Sequence, residues 1–172
     1  MKATGWRDAE DVTSFPQMKA GGYICRIVDV SDVPDKEYLK ISYDIAEGEL
    51  KGYYQGLNDR FDKWHGNFIK SYKEKALPFF KAFITAVEES NSGYRFDDNE
   101  ETLKGKLVGL VIGQEEYRKL DGTIGKRWYI NQVRSIQAIK SGKFAVPEFK
   151  KLKDESTGWQ PAESTDDDDL PF

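Results

Sequence analysis

Strict alternation of apolar and polar residues over positions 38–45 predicts a β-strand with one face on a core. The preceding segment, 23–30, is rich in β-branched residues and runs into a turn-forming cluster, which predicts an earlier strand. A third, shorter strand is predicted over 50–57, where Gly52 and Gly56 suggest a bulge or a close backbone approach. Together these segments predict one side of a small β-sheet.

Beyond residue 76 the apolar period changes to about 3.6, which predicts a helix from Leu77 to Glu89. Two long strands follow at 106–117 and 125–139, joined by a hairpin turn at Asp121-Gly122. The predicted order, β-β-β-α-β-β, is that of the OB-fold, a five-stranded Greek-key barrel whose curved face and loops hold oligonucleotides or oligosaccharides. The predicted fold class is therefore mainly β. The apolar stripe of the helix is Phe79, Phe80, Phe83, Ile84 and Val87.

The remaining segments flank or interrupt this domain. Residues 1–20 lack clear periodicity and predict an irregular N-terminal arm, followed by the OB-fold domain over 21–152. Within the domain, 58–75 is a polar and aromatic insertion ahead of the helical segment. Near the end of the chain Pro, Gly, Ser, Thr and Asp dominate, so 144–152 is expected to pack back on the barrel and 153–172 to be a disordered acidic tail.

Charge is distributed unevenly along the 172 residues, whose net charge is -4. From Asp154 onward there are seven acidic and no basic residues, whereas residues 1–153 carry 26 basic and 23 acidic ones. A mildly basic body with a terminal acidic block indicates either a partner-binding tail or a mimic that competes for the body's own anion site.

Composition narrows the class of protein further. With 38% hydrophobic residues the chain can bury a core as one domain. The longest apolar runs are far shorter than the roughly 20 residues of a membrane helix, and the N-terminus has no signal-peptide core, so a cytoplasmic protein is expected. Cys25 is the only cysteine, which excludes an internal disulfide. Because His65 is the only histidine, neither a metal nor a cofactor is expected.

The last seven residues form a compact ligand. Their apolar end can fill a pocket on a partner, and the terminal carboxylate can pair with an Arg or Lys there. The acidic run can attract a basic partner electrostatically. This ending closely resembles the acidic tip of bacterial single-stranded DNA-binding proteins, which end in aspartates, a hydrophobic residue, Pro and Phe. The residues that carry the resemblance are Asp166, Asp167, Asp168, Asp169, Leu170, Pro171 and Phe172.

The resemblance implies an OB body that coats single-stranded DNA and a tip that recruits replication, recombination and repair proteins. It also implies the cytoplasm of a bacterium or of a phage-infected host. Two departures point to a phage-encoded or otherwise divergent member: the linker lacks a long Gly/Gln-rich run, and the insertion at 58–75 is unusual. They leave both a monomer and a homo-oligomer open.

Single-stranded DNA needs positive charge for its phosphates and flat side chains on which bases stack. The final hairpin supplies most candidates. Since side chains alternate along a strand, Arg127 and Tyr129 share one face of it. We favour that face for DNA, with Trp128 on the other face as the rival. The candidate nucleic-acid-binding residues are Arg26, Lys40, Tyr54, Arg60, Lys63, Trp64, Lys119, Lys126, Arg127, Trp128, Tyr129 and Arg134.

Two alternative functions stay open at the level of sequence. A protein adaptor would use the body for protein contacts and the tail as its ligand, because a fold does not fix a function. The one enzyme hypothesis is a Mg²⁺-dependent nuclease. It depends on Pro34-Asp35 and Glu49-Leu50-Lys51, which together resemble the Pro-Asp and Glu-x-Lys pattern of metal-dependent nucleases. The sequence favours a non-enzymatic DNA-binding protein over both.

Overall fold

The fold is built around one antiparallel sheet of five strands. The structure is a computed structural model, and it describes residues 3–9, 11 and 16–152. The strands are β1 (Gly21–Val33), β2 (Tyr38–Ile45), β3 (Asn67–Ser71), β4 (Leu107–Arg118) and β5 (Ile124–Arg134). The helices are α1 (Tyr53–Phe61), α2 (Leu77–Ser90) and α3 (Ile136–Lys140), with short 3-10 turns at Pro34–Lys36, Glu74–Ala76 and Glu100–Leu103.

The sheet order is β3-β2-β1-β4-β5, so the first strand is central and pairs with both β2 and β4. The alternation predicted for 38–45 is confirmed: Leu39, Ile41, Tyr43 and Ile45 are buried, whereas Lys40 is exposed. The predicted helix is also confirmed as α2. It packs Phe83 and Val87 into the core, but Phe79, placed in the predicted apolar stripe, is 48% exposed.

The predicted third strand at 50–57 is wrong, because this segment forms a turn followed by α1. Gly52 adopts a left-handed φ of 75° at the start of the helix, a conformation that costs glycine little. The carboxylate of Asp44 then accepts the backbone N–H groups of Tyr54 and Gln55 and so caps α1 from β2. The actual third strand, β3, lies inside the predicted insertion at 58–75.

The predicted last strand is correct in position but too long. It ends at Arg134, where Ser135 Oγ accepts the N–H of Ala138 and starts α3, so 136–140 is helical. The segment 144–152 packs on the sheet: the backbone of Lys150 forms a parallel bridge beside Glu115 of β4.

The coarse prediction of a mainly β domain is confirmed, although the sheet is open. Within residues 16–152 no ladder of hydrogen bonds joins its edge strands, β3 and β5. Cys25 is completely buried in the core, and burial raises the pKa of its thiol well above the usual value. None of the helices in the described ranges is long and apolar enough to cross a bilayer.

Candidate nucleic-acid interface

A cleft of about 850 Å³ separates β2, β3 and α1 on one side from β5 on the other. We call it the aromatic cleft, because most of its large side chains carry rings. Its basic side chains are Lys40, Arg127 and Lys150, and within the described part of the chain Glu115 is the only carboxylate that lines it. The rings are Tyr38, Tyr43, Tyr53, Tyr54, His65, Phe68, Trp128 and Tyr129.

The floor of the aromatic cleft is a cluster of rings in edge-to-face and tilted contacts. Tyr43 of β2 lies 5.2 Å from Tyr54 of α1 and 5.6 Å from Phe68 of β3, measured between ring centroids. Gly66 permits this packing, since a Cβ there would lie 2.5 Å from the carbonyl oxygen of Tyr43 and 2.8 Å from the ring of Tyr54. The floor therefore depends on contacts between three elements that are separate in sequence.

Two tyrosine hydroxyls meet in this floor, with Tyr43 Oη and Tyr54 Oη 3.3 Å apart. Burial raises the pKa of Tyr54 to about 12 and places that of Tyr43 well above its usual value. Both rings are thus neutral hydrogen-bonding groups at physiological pH. They add no negative charge that would oppose a polyanion.

The opposite wall includes the face of the β4–β5 hairpin that carries Arg127 and Tyr129, and cations lie beside rings there. The guanidinium of Arg127 lies 5.0 Å from the ring centre of Tyr117 and donates to Glu115 Oε1 at 2.8 Å. The ammonium of Lys150 lies 4.4 Å from the ring centre of Tyr129. Cation–π contacts of this kind keep the charges beside flat surfaces, which is the combination that single-stranded nucleic acid binds.

Alternation along β5 separates the two faces of this strand. Trp128 packs against the hydrophobic core, which also contains Ile130, and it lines the aromatic cleft as well. Tyr129 lies on the other face, and its ring packs over Gly113 of β4. A Cβ at Gly113 would lie 2.7 Å from the Tyr129 ring. Arg127 shares that face with Tyr129. The structure therefore places residues from both faces at the cleft.

Five of the sequence-predicted residues meet at the aromatic cleft, and seven lie elsewhere. Trp64 donates its indole N–H to the backbone oxygens of Tyr43 and Gly66, which makes it a structural side chain. Tyr54 was placed on a strand by the sequence but lies on α1. Those at the cleft are Lys40, Tyr54, Arg127, Trp128 and Tyr129. Those elsewhere are Arg26, Arg60, Lys63, Trp64, Lys119, Lys126 and Arg134.

Three of the outlying basic residues are held by local contacts. Arg26 donates to the carbonyl oxygen of Gly105, and Arg134 to the side chain of Gln132. The ammonium of Lys126 lies 5.4 Å from the ring centre of Phe149. Lys63 and Lys119 are exposed, and Arg60 lies on the exposed last turn of α1.

Sequence reasoning missed several residues of the aromatic cleft. Tyr38 precedes Lys40 by two positions on β2. Because side chains alternate along a strand, this spacing indicated that the two residues share a face. Lys150 had no such signal, since it reaches the cleft only because its segment pairs with the distant strand β4. The other missed rings are Tyr43, Tyr53, His65 and Phe68.

Neither the protein-family models nor the curated proteins compared with this chain give a match.

The nuclease-like residues are exposed: Asp35 in the turn after β1, and Glu49 and Lys51 in the turn before α1. Across residues 3–9, 11 and 16–152, no three His, Cys, Asp or Glu side chains cluster as a metal site. The acidic tip at 166–172 lies outside the described residues.

Proposed function

We propose that this chain is a non-enzymatic protein that binds single-stranded DNA in the aromatic cleft with little sequence preference. The observation that carries the proposal is the cleft itself, where three basic side chains lie among rings that are at least partly exposed above the buried Tyr43 and Tyr54. Stacking on rings tolerates every base, because every base has a π face. Phosphate contacts likewise carry no direct sequence information.

The topology supports the same proposal. The strand order β3-β2-β1-β4-β5, with α2 between β3 and β4, is compatible with an OB-type domain. OB-folds bind oligonucleotides on the face of strands 2 and 3 and on the loop between strands 4 and 5. The aromatic cleft lies between β2, β3 and the β4–β5 hairpin, the region that such a domain uses.

We assign the second half of the function to the terminal acidic tip. Its resemblance to the tip of bacterial single-stranded DNA-binding proteins suggests that 166–172 recruits replication, recombination and repair proteins. A phage or bacterial cytoplasm is the matching setting. In this proposal the body holds DNA and the tip brings enzymes to it.

The test is fluorescence anisotropy of labelled oligo-dT over a salt series, with matched duplex as competitor. We expect binding that favours the single strand and weakens steeply with salt. Tyr38→Ala should weaken binding by the roughly 1–3 kcal/mol that one stacked base is worth. Lys40→Ala should lower the salt slope by about 0.7, as expected for one lost phosphate contact on a single strand.

Lys81→Ala is the matched control, because Lys81 is an exposed lysine of α2 that lines a different groove. It removes the same charge without touching the aromatic cleft. Absence of binding at low salt would overturn the proposal and favour an adaptor. Equal losses in Lys40→Ala and Lys81→Ala would show that general charge, rather than the cleft, holds the DNA.

A further inference from the structure

The tip of the β4–β5 hairpin is a tight turn fixed by several hydrogen bonds. Lys119 N–H donates to Thr123 O at 2.8 Å, and Gly122 N–H donates to Lys119 O at 2.9 Å. Gly122 has a φ of 86°, which completes a three-residue hairpin loop. Asp121 accepts both the N–H and the hydroxyl of Thr123, and these bonds lower the pKa of its carboxyl. The apex is therefore well defined.

An apolar side chain stands at this apex. Leu120 is fully exposed, and Ile124 beside it is 54% exposed. The central positions of such a turn favour Pro or small polar residues, so neither turn chemistry nor core packing accounts for a leucine here. The exposed Lys119 directly precedes it, and Lys126, also exposed, lies two residues beyond Ile124 on β5.

A row of side chains connects the apex with the aromatic cleft. The register places Tyr117 and Lys119 on the hairpin face that carries Arg127 and Tyr129. With a rise of about 3.4 Å per residue, the start of β5 lies about 10 Å from Arg127. A single strand of DNA that leaves the cleft along this face would therefore reach Leu120 within a short distance.

We propose that Leu120 contacts the terminal base pair where single-stranded DNA joins a duplex. This inference rests on the proposed function, since the single-stranded arm would occupy the aromatic cleft. The face of an end pair is apolar and the backbones beside it are anionic, which matches an exposed leucine directly after the exposed Lys119. Leu and Ile are side chains that proteins insert against base steps.

The experiment compares a duplex carrying a single-stranded arm with the arm alone, and places 2-aminopurine in the terminal pair. The wild-type chain should bind the junction roughly tenfold more tightly than the arm, as burial of part of a leucine side chain allows. It should also raise the 2-aminopurine fluorescence. Only one of the two arm polarities should show both effects, because the apex lies at one end of the cleft.

Leu120→Ala should abolish the junction preference and the fluorescence change while leaving affinity for the arm unchanged. Phe79→Ala is the control, because Phe79 is an exposed apolar residue on α2, away from the cleft. Leu120→Phe should retain the preference. Since Leu120 is fully exposed, Leu120→Ala and Leu120→Phe should keep the wild-type melting temperature.

Several results would overturn the inference. One is a junction preference that persists in Leu120→Ala, and another is an equal loss of affinity for the arm and for the junction. A fall in molar mass by light scattering in Leu120→Ala would identify the apex as a contact between copies of the chain. Failure of the wild-type chain to bind the arm at all would instead refute the proposed function, so the two failures are distinguishable.

Discussion

Replacing Lys70 with methionine should stabilise the protein at neutral pH. Lys70 lies on β3 opposite Leu39 and is only 4% exposed. Its ammonium lies 6.0 Å from the ring centre of Phe83, and within the described residues it has no salt bridge or side-chain hydrogen bond. A buried charge without such partners costs free energy of folding, and methionine fills a similar volume without the charge.

The magnitude follows from the pKa. Burial lowers the pKa of Lys70 from 10.5 to about 8. At about 1.4 kcal/mol per pKa unit, this difference means that the charged form costs about 3 kcal/mol in the native state. We therefore expect Lys70→Met to raise the free energy of unfolding by up to about 3 kcal/mol at pH 7.

The gain should depend on pH in a defined direction. Below pH 8 both native and unfolded states hold the proton, so the wild-type protein bears the full cost. Between pH 8 and 10.5 the unfolded state binds more protons than the native state, so the wild-type free energy of unfolding rises with pH. The advantage of Lys70→Met should shrink across this window and vanish above it.

Urea unfolding at several pH values between 7 and 10.5 measures this difference. Differences between variants are needed, because buried tyrosines such as Tyr54 also titrate at high pH. Lys75→Met, at an exposed lysine, is the control and should change stability by less than about 0.5 kcal/mol. A destabilised Lys70→Met, or a gain that does not vary with pH, would refute the reasoning.

Four further predictions test the aromatic cleft, its supporting packing and the tail. Glu115→Gln should raise affinity for oligo-dT in anisotropy titrations, because it removes a carboxylate that faces the cleft; unchanged affinity would count against a polyanion there. Asp44→Ala should instead lower both affinity and melting temperature, with about 0.5–2 kcal/mol lost from the helix cap. In urea unfolding, Gly66→Ala should lower the free energy of unfolding by about 1–3 kcal/mol. Gly56→Ala, in open space on α1, should raise it by a fraction of a kcal/mol, and the reverse order would contradict the packing described. Deleting 166–172 should leave DNA affinity equal or higher while abolishing partner capture in pull-down assays, and a clear loss of DNA affinity would refute the division of roles.

Local sequence signals predicted most of the sheet. The alternation over 38–45 reproduces the bounds of β2, and the Asp121-Gly122 turn correctly joins β4 to β5. In both places the deciding information lies within a few neighbouring residues. The period of two fixes the buried face, and the turn residues fix the reversal.

The third strand was missed because its deciding contacts are long-range. Tyr53 and Tyr54 suit a strand by local preference, but a carboxylate ten residues earlier caps them into a helix. The five residues of β3 are too few to show a period and become a strand only by pairing with β2. Lys150 was missed for the same reason, since pairing with β4 brings it to the cleft.

The position of a carboxylate, and not only its charge, should decide its effect on the proposed DNA binding, as Asp44 and Glu115 illustrate. Both oxygens of Asp44 are occupied, Oδ1 by the N–H groups of Ile45 and Tyr54 and Oδ2 by that of Gln55. The positive end of α1 faces this carboxylate and offsets its charge, so Asp44 should oppose a polyanion only weakly while it holds α1, and with it Tyr54 of the cleft floor, in place. Glu115 caps no helix, and it pairs with Arg127, so in the proposed complex its charge would compete with phosphates for that guanidinium. Removing a negative charge should therefore weaken DNA binding at Asp44 and strengthen it at Glu115.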